Sequence, residues 1–412
     1  MNTAAPIEVR ACVVGGGPAG IMLSFLLARA GHSVVVLEKH EDFLRDFRGD
    51  TVHPSTMTVL DELGLLDEFL KLPHSEIVEI SGHVGQDTIT IGDFSHVPAK
   101  TKFLGIMPQW DFLSFLAGKA RAYSGFRLLM GTEGKDLIRE QGRVVGVRAQ
   151  GPNGPFPIRA DVVVACDGRS STLREASAIT PRDLGAPMDV LWMRLSKRAT
   201  DQNAALGFIG AGAVLVLIDR GDYWQCGYVI AKGSADQVRA RGLEAFREEL
   251  ARTAPVIADR VGEIESWDNV KLLSVAVNRL NCWYLTGLLF IGDAAHAMSP
   301  IGGVGINLAI QDAVATANIL SPVLARPGQV GDAALAAVQR RRTFPTVMTQ
   351  GLQVLIQRNI IANVLRSQAP PKRAPAILRF LASIKILRRI PAYLVGIGFR
   401  PEHVERQLQP DR

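Results

Sequence analysis

A glycine-rich run directly after an apolar segment constrains this chain more than any other feature. The sequence GGGPAG at positions 15–20 follows the apolar residues 11–14, and Glu38 ends a second apolar run. In such a motif the first glycine permits a tight turn, the second lets the backbone approach a pyrophosphate, and the third lets the next helix pack closely on the strand. The pattern predicts a Rossmann-type unit that binds a dinucleotide through Gly15, Gly17, Gly20 and Glu38.

Length and composition favour a globular protein of more than one core. The chain has 412 residues, too many for one plain nucleotide-binding domain. The net charge is +6, the basic residues are interpreted as spread along the chain, and only 6% of residues are aromatic. Nucleic-acid binding is therefore not expected. The four cysteines show no metal or redox spacing, and no signal peptide or long apolar span is visible. We expect no metal site and a cytoplasmic location.

Apolar patterning divides the chain into three parts. Residues 1–75, 101–184 and 276–330 are predicted to form a discontinuous nucleotide-binding domain, with a helix over 55–66. Residues 76–100 and 185–275 are predicted to form a mostly antiparallel second domain, in which 76–80 pair with 88–91. Proline breaks mark residues 331–412 as a helical region. The predicted fold class is α/β (α+β): a Rossmann-type parallel sheet, an antiparallel sheet domain and a C-terminal helical appendage.

Two further motifs follow predicted buried strands. The first is Cys166-Asp167-Gly168-Arg169, with Ser171 and Arg174 at fixed spacing behind it. The second is Ile291-Gly292-Asp293-Ala294-Ala295-His296, which leads through Pro300 into the glycine-rich residues 302–307. Together with the first motif, these resemble the three signatures of class A flavoprotein monooxygenases, the para-hydroxybenzoate hydroxylase family. The resemblance covers roughly residues 8–320.

The resemblance implies an FAD site. The acid at Glu38 would bind the adenosine ribose, Asp293 the ribityl chain, and residues 302–307 would run beside the flavin pyrimidine edge. A helix beginning near Ile306 would direct its positive end at the negative charge of the reduced flavin. Arg48 and Gln109 match residues that contact the cofactor in that family. The resemblance also implies that the motif containing Asp167 takes part in the transient approach of NAD(P)H as well as in binding FAD. The implied cofactor residues are Gly15, Gly17, Ala19, Gly20, Glu38, Lys39, Arg48, Gln109, Asp167, Asp293, Pro300, Gly303, Gly305, Ile306 and Asn307.

The resemblance also implies a reaction: hydroxylation of an electron-rich, largely apolar aromatic substrate through a flavin C4a-hydroperoxide, consuming O2 and NADPH or NADH. The only contender for a second dinucleotide motif, residues 208–213, lacks the third glycine, so NAD(P)H is expected to bind transiently. The candidate catalytic residues are His53 and Pro300. His53 would face the flavin ring, although a structural histidine packed before Pro54 is an equal alternative.

The sequence leaves one other function of this fold open and argues against two more. A flavin-dependent reductase of an isoprenoid or other lipophilic substrate is the main alternative, because the motifs discriminate it poorly. A halogenase is disfavoured because the segment 223–231 lacks the second tryptophan and the proline of the halogenase motif. A lipid-binding chaperone without flavin is disfavoured by the intact Glu38, Asp293 and residues 302–307.

The C-terminal segment 377–390 mixes apolar residues with four basic ones. Packing on its own or a partner subunit is the favoured interpretation, and weak peripheral contact with an anionic membrane is the alternative. The expected partner is a small aromatic substrate, and the expected assembly is a monomer or a homodimer.

Overall fold

The computed structural model describes residues 7–44, 51–201, 205–367, 369, 371, 373–374 and 376–409. Within them the strands are, in chain order, β1 (Ile7–Val14), β2 (Val34–Leu37), β3 (Thr51–Val52), β4 (Ser75–Ile77), β5 (Glu79–Val84), β6 (Asp87–Asp93), β7 (Leu104–Ile106), β8 (Phe126–Leu129), β9 (Glu133–Glu140), β10 (Arg143–Gly151), β11 (Gly154–Ala165), β12 (Arg182–Asp183), β13 (Met188–Ser196), β14 (Ala205–Ile209), β15 (Val214–Asp219), β16 (Tyr223–Ala231), β17 (Lys271–Leu273), β18 (Asn278–Arg279), β19 (Tyr284–Leu285) and β20 (Leu288–Phe290).

The α-helices in the same residues are α1 (Pro18–Arg29), α2 (Pro54–Glu62), α3 (Leu66–Phe69), α4 (Gln109–Ala120), α5 (Thr172–Ala176), α6 (Ala235–Ala240), α7 (Leu243–Thr253), α8 (Gly305–Leu324), α9 (Asp332–Ile356), α10 (Ala362–Arg366), α11 (Ala376–Ser383) and α12 (Arg389–Gly396). Short 3-10 turns lie at Gly292–Ala294, Ile301–Gly303 and Lys385–Arg388.

The larger sheet has the strand order β19-β20-β11-β1-β2-β8, and β10 and β9 extend it from β11. Pairs from β20 through β8 along this path are parallel. Alternate residues of β1 face opposite layers: Val13 packs with α1, α4 and α8, whereas Cys12 packs with side chains of β9 and β10. Burial on both faces explains why these strands read as continuous apolar runs.

The second sheet has the order β17-β13-β16-β15-β14-β5-β6 and is antiparallel except between β14 and β5. One face packs on α6 and α7. The opposite face carries Val190, Val214 and Val229, and Ile301 packs against that cluster. Since Ile301 lies in the glycine-rich loop before α8, this face of the sheet adjoins the predicted flavin region.

Several predicted elements have different bounds in the structure. The predicted helix over 55–66 is two helices, because the chain turns at Gly64, whose φ is 73°. The predicted antiparallel pair of 76–80 with 88–91 is correct only in part: β5, which includes residues 79 and 80, pairs antiparallel with β6, which includes 88–91, whereas β4 pairs with β7. Residues 208–213 form a hairpin turn, in which the Gly210 N–H donates to the Ala213 carbonyl at 2.9 Å, so they form no second dinucleotide motif.

The C-terminal helices pack on the body of the chain, as the favoured interpretation expected. The helix α9 packs on α8, and both α11 and α12 pack on β6. The segment 377–390 is not one continuous helix, because the 3-10 turn Lys385–Arg388 separates α11 from α12. No helix in the described ranges is long and apolar enough to cross a membrane.

Candidate FAD site

The glycine turn between β1 and α1 is closely packed at two positions and open at a third. A Cβ on Gly15, whose φ is 106°, would lie 2.3 Å from the Cys166 carbonyl oxygen, and one on Gly20 would lie 1.9 Å from the Gly15 carbonyl oxygen. No atom of the described chain lies within 4 Å of the corresponding point on Gly17. Gly15 and Gly20 therefore serve the fold, whereas Gly17 leaves room for a phosphate at the N-terminus of α1.

Glu38 is buried at the end of β2, facing the glycine turn. Its Oε2 accepts the Gly16 N–H at 2.9 Å, and its Oε1 accepts the His40 N–H at 3.1 Å. These bonds fix the carboxylate beside the glycine turn, where the resemblance predicts the adenosine ribose. The neighbouring Lys39 is exposed, and Arg48 lies outside the described residues.

Asp167 follows β11 and is half-buried. Its Oδ2 accepts the Leu173 N–H at 3.1 Å, and its Oδ1 is buried without a hydrogen-bond partner in the described structure. Burial raises the pKa of this carboxyl, against the opposing effect of its hydrogen bonds. An orphaned buried acceptor is the kind of group that a bound ligand satisfies.

Gln109 is the first residue of α4 and is half-buried.

The second and third motifs contact each other directly. The Arg169 Nε donates to Asp293 Oδ2 at 3.0 Å, and both side chains are about one-third exposed. The buried Arg174 donates to the Ala294 carbonyl oxygen at 2.9 Å, which is a second bond between the two motifs. A Cβ on Gly292 would lie 3.3 Å from the Ala19 Cβ, so the turn carrying Asp293 also packs against α1.

The loop from Pro300 to Gly305 has the left-handed backbone that its glycines permit. Gly302 and Gly303 have φ values of 77° and 63°, and the half-buried Pro300 accepts the Gly303 N–H at 3.0 Å. A Cβ on Gly303 would lie 2.8 Å from the Thr51 Oγ1. The loop is therefore held close to β3, and only glycine fits both its angles and its surroundings at Gly303.

The helix α8 begins at Gly305, in agreement with the predicted start near Ile306. Ile306 and Asn307 are buried, and Asn307 Oδ1 accepts from the Ser55 and Thr56 hydroxyls at 2.9 and 2.8 Å. Asn307 thus anchors the first turn of α8 to α2. The helix N-terminus and its positive partial charge are held beside the glycine loop, as the predicted flavin contact requires.

His53 is fully buried between this loop and the C-terminal region. Its Nδ1 lies 2.8 Å from the Val395 carbonyl oxygen, and its Nε2 lies 3.0 Å from the Gly303 carbonyl oxygen. A neutral imidazole donates through only one nitrogen, so it satisfies one of these carbonyls at a time. Burial lowers the pKa of His53 despite the two carbonyls, which favour the charged ring. The geometry describes a positioning contact with Gly303, and the catalytic role of His53 stays a prediction.

A buried charge network behind the third motif was missed from the sequence. Asp312 on α8 accepts the Gly292 N–H at 3.0 Å, contacts His296 Nε2 at 2.6 Å, and accepts from Arg342 Nε at 2.8 Å. The Arg342 Nη1 also donates to Glu402 at 3.3 Å. The signal was visible: Asp312 stands within the apolar stretch of α8, where an unpaired charge would be costly. The network fixes the backbone immediately before Asp293.

Three aromatic or sulfur side chains of the second sheet face away from this region. Met193, Trp224 and Tyr228 are buried in the cluster formed with α6 and α7. They are core residues of the second domain. The opposite face carries the valines that adjoin Ile301, together with Trp192, which lies over Gly227 and whose buried indole N–H has no partner in the described structure.

A Rossmann-type sheet with these three adjoining motifs defines an FAD-binding flavoprotein. The chain belongs to the FAD binding domain family, whose model matches residues 8–350. It is 34% identical over 382 residues to 6-methylpretetramide 4-monooxygenase of Streptomyces rimosus, across 92% of this chain and 91% of that protein.

Two solved structures share the fold. One is p-nitrophenol 4-monooxygenase PnpA of Pseudomonas putida DLL-E4, with a TM-score of 0.77 and 19% identity over 96% of this chain and all (100%) of that one. The other is PqsL of Pseudomonas aeruginosa, described as a probable FAD-dependent monooxygenase, with a TM-score of 0.73 and 23% identity over 87% of this chain and 97% of that one. The predicted fold class and the predicted class of enzyme, an FAD-dependent monooxygenase, are confirmed.

Proposed function

We propose that this enzyme hydroxylates a largely apolar aromatic ring and takes its electrons from NADPH or NADH. The observation that carries the proposal is the convergence of the three motifs: Gly15 packs on Cys166, Arg169 pairs with Asp293, and Gly292 packs on Ala19. The three motifs form one cluster, which would hold one dinucleotide, FAD. The lack of a second such motif in the described chain supports transient binding of NAD(P)H.

The residues fit FAD. The space at Gly17 suits the pyrophosphate, Glu38 suits the ribose hydroxyls, and Asp293 suits the ribityl chain. Reduced FAD supplies the activation of O2. The chain contributes the N-terminus of α8, whose N–H groups favour negative charge nearby, and the Pro300–Gly305 loop, which His53 and Thr51 contact at Gly303. We keep Arg48, Lys39 and Gln109 within this proposed site.

The substrate is proposed from two observations. The S. rimosus relative is named for action on 6-methylpretetramide and is 34% identical over nearly its whole length. In this chain, valines and Trp192 line the sheet face that adjoins Ile301. An apolar face with one unpartnered N–H donor suits a flat aromatic ring that carries a polar substituent. We therefore propose that this face, within residues 76–100 and 185–275, contacts the substrate.

The remaining parts of the proposal concern organisation. Residues 1–75, 101–184 and 276–330 would form the FAD-binding domain, and residues 331–412 the helical appendage. The protein would act in the cytoplasm as a monomer or a homodimer, with weak peripheral contact to a membrane. The presence of O2 as co-substrate follows from the monooxygenase family.

The test is turnover of an aromatic panel by the FAD-loaded enzyme with NADPH or NADH, followed by mass spectrometry under labelled O2. We expect one compound to accelerate bleaching of the flavin and to gain one labelled oxygen atom. A flavin-dependent reductase would instead convert its substrate without O2 and add two hydrogens. That result, or a product without label, would contradict the proposed hydroxylation.

A further inference from the structure

The acidic residues are unevenly distributed, contrary to the even spread of charge expected from overall composition. Residues 333–401 contain twelve Lys and Arg and no Asp or Glu, whereas the whole chain has a net charge of only +6. The rest of the chain is therefore net negative, at −6. Arg341 and Arg342 pair with Asp312 and Glu402 inside the protein. A charge asymmetry of this kind between two parts of a chain is typical of a protein whose basic part has a partner of opposite charge, and the remaining basic residues are the candidates for that contact.

The structure concentrates exposed apolar side chains within the same region. We define the basic-apolar patch as the described, exposed residues of α11, the following turn and α12. Its most exposed apolar members are Phe380, Ile386 and Ile390, with exposures of 60%, 62% and 56%. Tyr393 and Ile384 are also exposed, and Arg379, Lys385 and Arg389 are exposed beside them.

The patch is the outer side of helices whose inner side is already packed. Ala392 is fully buried against Gly92 of β6, and Ala382 packs with the cluster around Val84 and Ile89. Contact with the body of the chain therefore leaves the isoleucines and basic residues outside. Ordinary surface positions rarely group several large apolar side chains, and such groups mark interaction sites.

We propose that this patch docks the enzyme on an anionic lipid bilayer. Basic side chains beside exposed isoleucine and phenylalanine match a surface with negative headgroups above an apolar interior. A symmetric contact between two copies would place these like charges opposite one another, which is unfavourable. Nucleic acid supplies negative charge but offers no apolar layer for Ile386 and Ile390.

The docked face is connected to the predicted flavin loop. Val395 follows the patch on α12, and its carbonyl oxygen contacts His53, which also contacts the Gly303 carbonyl. A Cβ on Gly302 would lie 3.6 Å from the Val395 side chain. Docking through α12 would thus hold the bilayer on the same side of the molecule as this loop.

The test is co-sedimentation of the FAD-loaded full chain with phosphatidylcholine vesicles, with and without phosphatidylglycerol. We expect binding only to the phosphatidylglycerol vesicles, and weaker binding at high salt because salt screens the basic residues. The variant Lys385→Gln/Ile386→Asn should bind at least about tenfold more weakly, since one basic residue near an anionic surface is worth roughly fivefold and the isoleucine adds to that.

The matched control is Lys271→Gln/Leu272→Asn, an exposed basic and apolar pair on the edge strand β17, far from α11 and α12 in sequence. It should bind vesicles like the unchanged protein. Equal binding to both lipids, no binding at low salt, or equal losses in both variants would overturn the proposal. The proposal would also be overturned if the unchanged protein did not bind vesicles but formed a dimer, or bound duplex DNA, and Lys385→Gln/Ile386→Asn abolished that dimer or that DNA binding. Vesicle binding needs no turnover, so this outcome is independent of the proposed reaction.

Discussion

Arg341 and Arg342 are adjacent on α9 and pair with the same carboxylate, Glu402, yet they differ in burial. The Arg342 side chain is 1% exposed and also pairs with Asp312, whereas the Arg341 side chain is 44% exposed. Replacing Arg342 with Gln leaves two buried carboxylates without their shared cation. Breaking a buried ion pair in this way costs about 3–5 kcal/mol, whereas an exposed pair is worth about 0.2–1 kcal/mol.

We therefore expect Arg342→Gln to lower the free energy of unfolding by about 3–5 kcal/mol and Arg341→Gln by less than about 1 kcal/mol. The assay is urea unfolding of the FAD-free proteins by tryptophan fluorescence, with Trp283 placed 4.9 Å from the ring of His296. Equal losses in the two variants, or a loss below about 1 kcal/mol for Arg342→Gln, would refute the reasoning.

The pH dependence gives the same prediction a second readout. Burial works against ionisation of Asp312, but the positive charges of His296 and Arg342 outweigh it and hold its pKa below the usual range. A carboxyl whose pKa is lowered in the folded state stabilises the protein above its unfolded pKa of about 3.9, and this stability is lost as the pH falls through the folded value. Arg342→Gln removes part of this effect. Its cost should stay near its full size from neutral pH down to about pH 4 and should shrink as the pH falls further.

The other predictions concern the cofactor region. Gly17→Ala should weaken FAD binding at least about tenfold without changing unfolding of the FAD-free protein, whereas Gly20→Ala should destabilise that protein, because its Cβ would lie 1.9 Å from a carbonyl oxygen; equal effects on unfolding would contradict this contrast. Asp293→Ala should weaken FAD retention or slow flavin reduction, and a fully yellow, active variant would remove Asp293 from the site. His53→Ala should lower unfolding free energy by about 1–3 kcal/mol, slow hydroxylation and raise peroxide release; unchanged coupling would make His53 purely structural. Because burial lowers the pKa of His53, its stabilising effect is present above about pH 6.5 and declines below it, so this variant should lose less stability than the unchanged protein between about pH 7 and 5.

The motifs were readable from sequence because each depends on local backbone chemistry. Gly15 and Gly20 have no room for a Cβ, and Gly303 has a positive φ beside Thr51, so the identity of each residue follows from its own position. Glu38 was readable because it ends a buried strand. At such positions, a resemblance between short sequence segments indicates the same local backbone structure.

The prediction that 76–80 and 88–91 form one antiparallel pair was only partly correct, for a different reason. Ile77 and Val84 are both buried, yet they belong to different sheets, and a single apolar alternation cannot show which strand each residue pairs with. The same limit hid the orientation of the second sheet. Met193 and Trp192 are neighbours on β13 that face opposite layers, and only the register of the whole sheet decides which one adjoins Ile301.

The Asp312 network shows how a long-range contact supports a local motif. The aspartate holds Gly292 through one oxygen and Arg342 through the other, so the turn that presents Asp293 depends on α9 and on Glu402 near the C-terminus. Similarly, His53 connects Gly303 to Val395 on α12. The C-terminal region therefore does more than cover the second sheet. Since it supports both the turn that carries Asp293 and the loop that contains Gly303, truncation after α9 should impair FAD binding even though every recognisable motif lies before it.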